Sequence, residues 1–327
     1  MADRFLLTGA LGCIGAWVTR NLVREGIPPV IFDVASDPRR LKLIMSADEL
    51  ASITFVAGDV TDLDAIEQTL DTYGITHVIH LAALQVPFCR ANPPLGARVN
   101  VVGTVNMFEA VARRKDRIGR IVYASSVAVY DSIDAGPGAV VQHGQSGHPA
   151  NLYGVYKQAN EGTARIYWQD HQVASIGLRP YTVYGPARDQ GMTSSPTKAM
   201  FAAAVGQPYH IPFGGRGDFQ YADDVAKAFI ACARVPFAGA EIFNLRGSVA
   251  HMSEVVTAIE VARPAATGTI SYDEKPLALP EEADAEPLVQ LIGSIPYTPL
   301  NQAVAETIDL FQARVADGTM APDAMLK

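Results

Sequence analysis

The sequence contains few cysteines, and their spacing excludes two kinds of stabilised fold. Among its 327 residues only Cys13, Cys89 and Cys232 carry a thiol, and no pair of them has CxxC or metal-ligand spacing. A disulfide framework needs paired cysteines, and a structural zinc site needs clustered ones. The sequence therefore predicts no disulfide, no bound metal and a cytoplasmic protein.

Positive charge is also scarce, which bears on the partners of the protein. Lysine and arginine number 26 against 34 aspartate and glutamate residues, so the net charge is −8. Because a nucleic-acid surface needs concentrated positive charge, no nucleic-acid partner is predicted. The one tight basic cluster, Arg113–Arg117, is predicted to be the solvated end of a helix.

Long apolar runs are missing from the sequence as well. It has no stretch of about 18 uninterrupted apolar residues, so no segment is predicted to span a membrane. Residues 5–18 are apolar enough to resemble a signal peptide, but Thr8 and three glycines interrupt them and no cleavage site follows. The sequence therefore predicts neither a membrane anchor nor a secretion signal.

Short apolar runs alternate with helical patterns along most of the chain. Helix signals lie between the runs: Thr61 and Asp64 resemble a capping box, and Ser195 before Pro196 resembles an N-cap. Strict alternation predicts an α/β fold with a doubly wound parallel sheet, Rossmann-like in type, and a smaller C-terminal substrate-binding region. The seven strand-like runs are RFLLTG, PVIFDV, ITFVAGD, HVIHLAA, RIVYASS, VASIGLRP and EIFNLRG.

A glycine-rich turn joins the first predicted strand to the first predicted helix. Spaced glycines allow a tight turn and a close approach of the backbone to a pyrophosphate, which the helix N-terminus attracts. Asp33 ends the next strand, where a carboxylate binds an adenosine ribose and repels a 2′-phosphate, so NAD is preferred to NADP. Arg39 and Arg40 lie too far along the chain to offset that charge. The residues of the turn predicted to contact the cofactor are Gly9, Gly12, Cys13, Ile14 and Gly15.

The same pattern predicts how the chain divides. Residues 1–184 are expected to form an NAD-binding Rossmann-like domain, which residues 218–246 rejoin. Residues 185–217 and 247–327 are expected to form the substrate-binding region, because the regular alternation fails there and stretches rich in proline and glycine appear.

An ordered set of motifs covers about the first 190 residues and returns near residue 219. The set comprises TGALGCIG, GDVTD, HLAA, VNVVGTVNMFEA, YASSVAVY, YGVYK and FQYADDVAKAF. It resembles the extended short-chain dehydrogenase/reductase family, the NAD-dependent epimerase/dehydratase group. The resemblance implies that Lys157 holds the nicotinamide ribose. It also implies cofactor contacts by Asp59, Val60, Leu81, Ala82, Ala83 and Asn100, the first two beside the adenine.

Two tyrosines stand three residues apart in NLYGVYK, and only Tyr153 lies four residues before Lys157. Positions i and i+4 share one face of a helix, so Tyr153 is the predicted catalytic base and Tyr156 a packing residue. A phenol titrates at about 10, so the ammonium of Lys157 and the positive nicotinamide ring must stabilise its phenolate. Ser126 follows a strand and is predicted to hydrogen-bond the reacting hydroxyl.

Positions near the predicted catalytic residues limit the substrate. Sugar-nucleotide dehydratases of the family resemble one another in an Asp-Glu pair after the catalytic Thr or Ser, but Val127 and Ala128 stand there, so dehydration is not predicted. Nucleotide-sugar members also show Asn and Arg where this chain has Thr182 and Gly217, a loss of two diphosphate contacts. The residues predicted to contact the substrate are Ser125, Ser126, Tyr153, Thr182 and Arg188.

Three functions fit the sequence. The first is an NAD-dependent oxidoreductase, a dehydrogenase or an epimerase, acting on a hydroxyl of a free sugar, a sugar acid or a similar polyol. The alternative is a nucleotide-sugar 4-epimerase, in which Arg188 and Lys198 supply the missing diphosphate contacts. The third is a non-catalytic NAD-sensing protein, although such a protein has no need of Ser126, Tyr153 and Lys157.

The resemblance also bears on the oligomeric state. Relatives in this family often pair through two helices, which begin near Pro94 and Asn151 in this chain. A homodimer is therefore expected, and the other expected partner is a small-molecule substrate of carbohydrate type.

Overall fold

The computed structural model of the chain describes residues 3–130, 138, 140–145 and 147–326. The strands are β1 (Phe5–Thr8), β2 (Val30–Asp33), β3 (Thr54–Ala57), β4 (His77–His80), β5 (Ile121–Ala124), β6 (Val140–Val141), β7 (Ser175–Arg179), β8 (Thr182–Tyr184), β9 (Tyr209–Ile211), β10 (Arg216–Tyr221), β11 (Ala240–Asn244), β12 (Ser248–His251), β13 (Ile270–Tyr272) and β14 (Glu282–Ala283). The α-helices are α1 (Cys13–Arg24), α2 (Arg39–Ile44), α3 (Ala47–Ala51), α4 (Leu63–Thr72), α5 (Val86–Ala91), α6 (Pro93–Ala97), α7 (Gly103–Ala112), α8 (Leu152–His171), α9 (Ser195–Ala204), α10 (Ala222–Arg234), α11 (Met252–Ala262), α12 (Glu286–Ile292) and α13 (Leu300–Ala316). A π-helical turn spans Arg98–Val102, and 3-10 turns span Val127–Val129, Met192–Ser194 and Pro264–Ala266.

Seven strands form one parallel sheet in the order β11–β7–β5–β4–β1–β2–β3. Each of the seven runs predicted from the sequence supplies one of these strands, so the predicted doubly wound α/β fold is confirmed. The strand order reverses between β1 and β4, and ligands of open parallel sheets bind in the crevice outside the carboxyl ends at such a reversal. The topology therefore points to a ligand site at the carboxyl ends of β1, β2, β4 and β5.

The main sheet is buried on both faces, which explains why its strands consist of nearly continuous apolar runs. In β1, Phe5 and Leu7 belong to one core cluster and Leu6 to the other. Helices α1 and α10 pack together on the first face, and α4 and α7 pack together on the second. The carboxyl ends of the strands are therefore held rigidly between two layers of helices.

Outside the main sheet, the described residues form three smaller β-structures. Strands β8, β10 and β12 make a three-stranded sheet, β9 pairs with β13, and β6 pairs with β14. Helix α13 packs against α9 and α11, and the rings of Phe201 and Phe311 meet edge to face with centroids 5.3 Å apart. The division of the chain into an NAD-binding domain and a substrate-binding region stays a prediction.

Two helix starts differ from the predicted ones by one residue. Asp62, not Thr61, caps α4, because its carboxylate accepts a hydrogen bond at 3.0 Å from a backbone N–H three residues on. Ser194 precedes α9 and Ser195 is its first residue, so Pro196 keeps a first-turn position that suits proline. Neighbouring polar residues compete for a cap, and the backbone geometry decides between them.

The basic cluster Arg113–Arg117 lies at the end of a helix, after α7, as predicted. Its arginines are paired with carboxylates: Arg113 contacts Glu109, and Arg114 and Arg117 share Asp71.

Across the described residues, no helix combines the length and the apolar character that a membrane span requires.

Candidate active site

The glycine turn between β1 and α1 has no room for a side chain at Gly9 or Gly15. Gly9 has a φ of 69°, and a side chain there would place its Cβ 2.6 Å from the backbone nitrogen of Ala82. At Gly15 the added Cβ would lie 2.3 Å from the carbonyl oxygen of Gly9. The N-cap of α1 is Gly12, so no capping side chain competes with an anion for the first N–H groups of the helix. The turn therefore fits the pyrophosphate of NAD.

Four other residues predicted to bind the cofactor have contacts that shape the same region. Burial raises the pKa of the Cys13 thiol to about 11, so it stays protonated and acts as a small apolar side chain. Ile14 packs against the larger core cluster. The carboxylate of Asp59 accepts a hydrogen bond from the Thr61 N–H at 2.9 Å, and Val60 is buried. The contacts of Asp59 and Val60 fix the backbone where the adenine of the cofactor is predicted to lie.

Asp33 and Arg40 both bond to Leu11, in the middle of the glycine turn. The carboxylate of Asp33 accepts from the Leu11 N–H at 3.1 Å, and Nη1 of Arg40 donates to the Leu11 carbonyl oxygen at 2.8 Å. Arg40 lies nearer to the turn than its place in the sequence suggests, because α2 packs against α1 and brings it there. Its Nη2 lies 2.6 Å from the carboxylate of Asp189, so this arginine is not free to receive a 2′-phosphate.

The loop after β4 is fixed by a buried chain of hydrogen bonds. The Ala82 N–H donates to the Thr8 hydroxyl at 3.3 Å, and that hydroxyl lies 2.8 Å from Nδ1 of His80. Nε2 of His80 lies 3.1 Å from the Thr104 hydroxyl, which donates to the Asn100 carbonyl oxygen at 2.8 Å. Burial lowers the pKa of His80 to about 3, so its ring is neutral. Sequence reasoning missed this chain, although its histidine lies in the motif HLAA.

Asn100 holds the same loop from the other side. Its side-chain amide accepts from the Leu84 N–H at 2.7 Å and donates to the Leu84 carbonyl oxygen at 2.9 Å. Because Asn100 lies in the π-helical turn, its own carbonyl oxygen also accepts from Asn160 of α8, at 2.9 Å. Asn100 therefore shapes the loop that carries Leu81 and Ala83, and its amide is occupied by protein backbone.

Helix α8 brings Tyr153 and Lys157 to the end of β5. Nζ of Lys157 donates to the carbonyl oxygen of Ala124 at 2.6 Å and lies 5.6 Å from the centre of the Tyr153 ring. Ser126, two residues beyond β5, hydrogen-bonds Tyr153 through its side chain. The structure thus brings the three predicted catalytic residues together at the carboxyl edge of the sheet.

The pKa values in this cluster identify a second cation beside the predicted catalytic residues. Burial raises the pKa of Tyr153, while the hydrogen bond with Ser126 and the charge of Arg188 lower it. Burial also lowers the pKa of Lys157 to about 8. Lys157 is therefore mostly protonated at neutral pH, and its part in stabilising the phenolate stays a prediction. Arg188 is a second cation, whose charge lowers the pKa of Tyr153.

The hydroxyl of Ser125, predicted to contact the substrate, instead donates a hydrogen bond to a largely buried carboxylate next to this cluster. It donates to Glu161 at 2.5 Å, and Glu161 accepts two hydrogen bonds from the guanidinium of Arg179, at 2.8 and 2.7 Å. Arg179 also donates to the Tyr130 hydroxyl, which donates to Asn244 at 2.9 Å. This buried network ties α8 to the ends of β5, β7 and β11, and sequence reasoning did not identify Glu161 as part of it.

Thr182 and Arg188 differ in their availability to a ligand. Thr182 is buried in β8, where it pairs with Phe219 of β10. Nη2 of Arg188 donates to Thr193 at 2.9 Å, but its buried Nε has no hydrogen-bond partner among the described residues. The guanidinium whose charge lowers the pKa of Tyr153 therefore keeps one buried donor unpaired.

Comparison with known proteins gives the family of the chain. A model of the NAD dependent epimerase/dehydratase family matches residues 5–245. UDP-glucuronate 4-epimerase 5 of Arabidopsis thaliana is 31% identical over 68% of this chain and 52% of its own length, and the chain spans about half the length of such Arabidopsis relatives. UDP-glucose 4-epimerase of Mycolicibacterium smegmatis is 28% identical over 94% of this chain and 98% of its own length.

Solved structures with the same fold cover almost the whole chain. A partial consensus L-threonine 3-dehydrogenase has a TM-score of 0.83 at 21% identity, over 95% of this chain and 100% of that one, and this likeness shows the fold alone. MoeE5 in complex with UDP-glucose and NAD has a TM-score of 0.76 at 26% identity, over 96% of this chain and 100% of that one. NAD is the cofactor, and the glycine turn with Asp33 fits it.

These findings bear on the functions predicted from the sequence. They back the nucleotide-sugar 4-epimerase, which was the alternative, better than the free-sugar oxidoreductase that the sequence favoured. The family resemblance and the NAD cofactor predicted from the motifs are confirmed. The chain is an NAD-dependent enzyme and belongs to the NAD dependent epimerase/dehydratase family.

Proposed function

We propose that the protein is an NAD-dependent epimerase that inverts a hydroxyl-bearing carbon of a nucleotide-linked sugar. The observation that carries the proposal is the cluster at the end of β5, where Ser126 hydrogen-bonds Tyr153 and the charge of Arg188 lowers the pKa of that phenol. A phenol, a hydroxyl and a cation around one point suit the oxidation and reduction of a hydroxyl group. The similarity to UDP-glucuronate and UDP-glucose 4-epimerases supports a nucleotide-linked substrate and inversion at C4 of its sugar.

In the proposed mechanism Tyr153 moves one proton in both directions. Its phenolate first accepts the proton of the substrate hydroxyl, while Ser126 holds the same oxygen by a hydrogen bond. When bound, NAD would supply the acceptor and donor of the hydride at the carbon and the positive charge of its oxidised ring. Tyr153 then returns the proton to the oxygen after the sugar has presented its other face. The cycle leaves no net oxidation, so the cofactor has no need to leave.

Lys157 contributes both position and charge to this mechanism. Its Nζ donates to the Ala124 carbonyl oxygen at 2.6 Å, which fixes α8 against β5 and keeps Tyr153 beside Ser126. Because burial lowers its pKa only to about 8, it is mostly protonated at neutral pH. By the family resemblance the same ammonium holds the nicotinamide ribose.

Arg188 is the residue on which the proposed class of substrate depends. A guanidinium with an unpaired donor binds a phosphate or a carboxylate well, because its planar fork matches two oxygens of either group. We propose that it supplies an anion contact in place of the amide and guanidinium expected from the resemblance, whose positions Thr182 and Gly217 occupy. These features support an acidic nucleotide-linked sugar, a UDP-uronic acid above all.

The proposal is tested with the purified protein and two substrates, UDP-glucuronate and UDP-glucose. The sugar is followed by NMR and the formation of NADH by its absorbance. Interconversion of the 4-epimers without net NADH is expected, and Arg188→Gln should raise KM for UDP-glucuronate more than KM for UDP-glucose. Net NADH formation from a free sugar or sugar acid, with no epimer from either nucleotide sugar, would restore the free-sugar dehydrogenase.

A further inference from the structure

The segment that follows β8 crosses to the cofactor end of the sheet and is fastened there. The indole N–H of Trp17 on α1 donates to the buried carbonyl oxygen of Pro186 at 2.9 Å. The carboxylate of Asp189 accepts a hydrogen bond at 2.8 Å from Nε of Arg40 on α2, and Nη2 lies 2.6 Å away. Arg39 reaches the second oxygen of the same carboxylate at 3.2 Å. The segment is thus tied to both α1 and α2.

Arg40 extends this tie into the glycine turn itself. Its Nη1 donates to the carbonyl oxygen of Leu11 at 2.8 Å, and the N–H of Leu11 donates to Asp33 at 3.1 Å. A dinucleotide lies along such a turn and reaches the carboxylate at the end of the second strand. The ion pair of Arg40 and Asp189 therefore stands at the edge of the cofactor groove.

The backbone of the segment has a conformation that the surrounding contacts impose. Ala187 has a φ of 74°, which residues other than glycine rarely adopt, and its side chain is buried. The N–H of Gly185 donates to the hydroxyl of Thr197 at 3.1 Å, which adds a further contact. Arg188, which follows Ala187 in the chain, lowers the pKa of Tyr153 through its charge. The same segment therefore also reaches the catalytic cluster.

From these contacts we infer that Arg40 and Asp189 form a clasp that retains bound NAD. They are positioning residues: the cofactor leaves when the segment following β8 moves away from the glycine turn, and the ion pair opposes that movement. Their side chains are 17% and 21% exposed, so solvent screens this pair less than it screens Arg39, which is 55% exposed. The clasp goes beyond the proposed epimerase reaction, because it acts on the cofactor whichever sugar is bound.

The experiment measures how fast NAD leaves the full-length protein with no sugar present. Protein loaded with a fluorescent NAD analogue is mixed in a stopped-flow instrument with excess unlabelled NAD. Asp189→Asn and Arg40→Met should each increase the dissociation rate by about tenfold or more, since each removes the partly buried pair. The matched control is Arg39→Gln, which removes the outer arginine of the same cluster and should change the rate by less than about twofold.

Two further variants separate the clasp from a general loss of structure. The double variant Arg40→Met/Asp189→Asn should release NAD no faster than Arg40→Met alone, because Arg40→Met already removes the contact that Asp189→Asn removes. Asp189→Glu keeps the charge and should restore a rate close to that of the unmodified protein. An unchanged rate in Asp189→Asn, or an equal increase in Arg39→Gln, would overturn the inference. If Asp189→Asn does not fold, Arg40→Met takes its place in the test. An unchanged dissociation rate in Arg40→Met, or an equal increase in Arg39→Gln, would then overturn the inference.

Discussion

At the scale of single residues, Tyr153 is the side chain on which the proposed chemistry depends. Tyr153→Phe removes the proton-transfer group, so turnover should fall by about 10² to 10⁴-fold while the affinity for NAD changes little. The matched control is Tyr156→Phe, which removes only a hydrogen bond to the Pro93 carbonyl oxygen at 2.9 Å. Steady-state kinetics on both variants checks the assignment. An active Tyr153→Phe beside an inactive Tyr156→Phe would move the base to Tyr156.

Buried His80 should make the stability of the protein sensitive to acid. Its pKa is about 3 in the folded protein against 6.5 for a free side chain, so between these values the unfolded chain binds a proton that the folded protein does not. As pH falls below the unfolded pKa, the free energy of unfolding should therefore decrease, by about 1.4 kcal/mol per pH unit from this residue. Denaturant titrations across that range measure the slope. His80→Gln should flatten it, whereas a substitution of exposed His210 should not, and an equal slope in both variants would contradict the prediction.

Asp33 is expected to set the preference between the two dinucleotides. NAD should bind more tightly than NADP by about tenfold or more, or about 1.4 kcal/mol, because the carboxylate repels a 2′-phosphate. Asp33→Asn keeps an oxygen for the Leu11 N–H but removes the charge, so the preference should narrow. Calorimetric titration of both proteins with both dinucleotides measures this. Equal affinities in the unmodified protein, or an unchanged preference in the variant, would count against the role of Asp33.

At the scale of secondary-structure elements, the buried network of Ser125, Glu161 and Arg179 joins α8 to β5 and β7. Arg179→Met leaves the carboxylate of Glu161 buried without its ion-pair partner, so it should lower the free energy of unfolding by about 3–5 kcal/mol. Adding Glu161→Gln removes the unpaired charge and should recover part of that loss. The control is the more exposed pair of Arg113 and Glu109, where Glu109→Gln should lower the free energy of unfolding far less because solvent screens the pair. Denaturant unfolding compares the variants, and equal losses at the two pairs would show that burial of the network has no special effect.

The elements could be predicted from the sequence because their signals are local. Seven apolar runs became the seven strands, and the i, i+4 spacing brought Tyr153 and Lys157 to one place. Contacts between distant segments leave no such signal: Arg40 and Asp189 are 149 residues apart and meet only in the fold. For the same reason the hydroxyl of Ser125 was predicted at the substrate, although a helix carboxylate takes it up.

At the scale of the whole molecule, an apolar surface on the helices near Pro94 and Asn151 fits the expected homodimer. We expect these surfaces of two copies to pack together, so Val155→Glu should convert a dimer to a monomer in analytical ultracentrifugation. Val261→Glu introduces the same charge at an exposed position on α11 and should leave the dimer intact. A monomeric parent protein, or a monomeric Val261→Glu, would contradict this interface. The exposed apolar side chains of the surface are Leu95, Val102, Leu152, Val155 and Ile166.

The order of strands in the main sheet has a consequence for the synthesis of the protein. Strands β2 and β3 add in turn to one side of β1, and β4, β5, β7 and β11 add in turn to the other. Each strand therefore pairs with a neighbour that has already left the ribosome, and the sheet can grow outward from its oldest strand while translation continues. The glycine turn, the loop after β4 and Asn100, which holds that loop, all precede Tyr153 and Lys157, so the nascent chain completes this part of the cofactor site before those two residues have been translated.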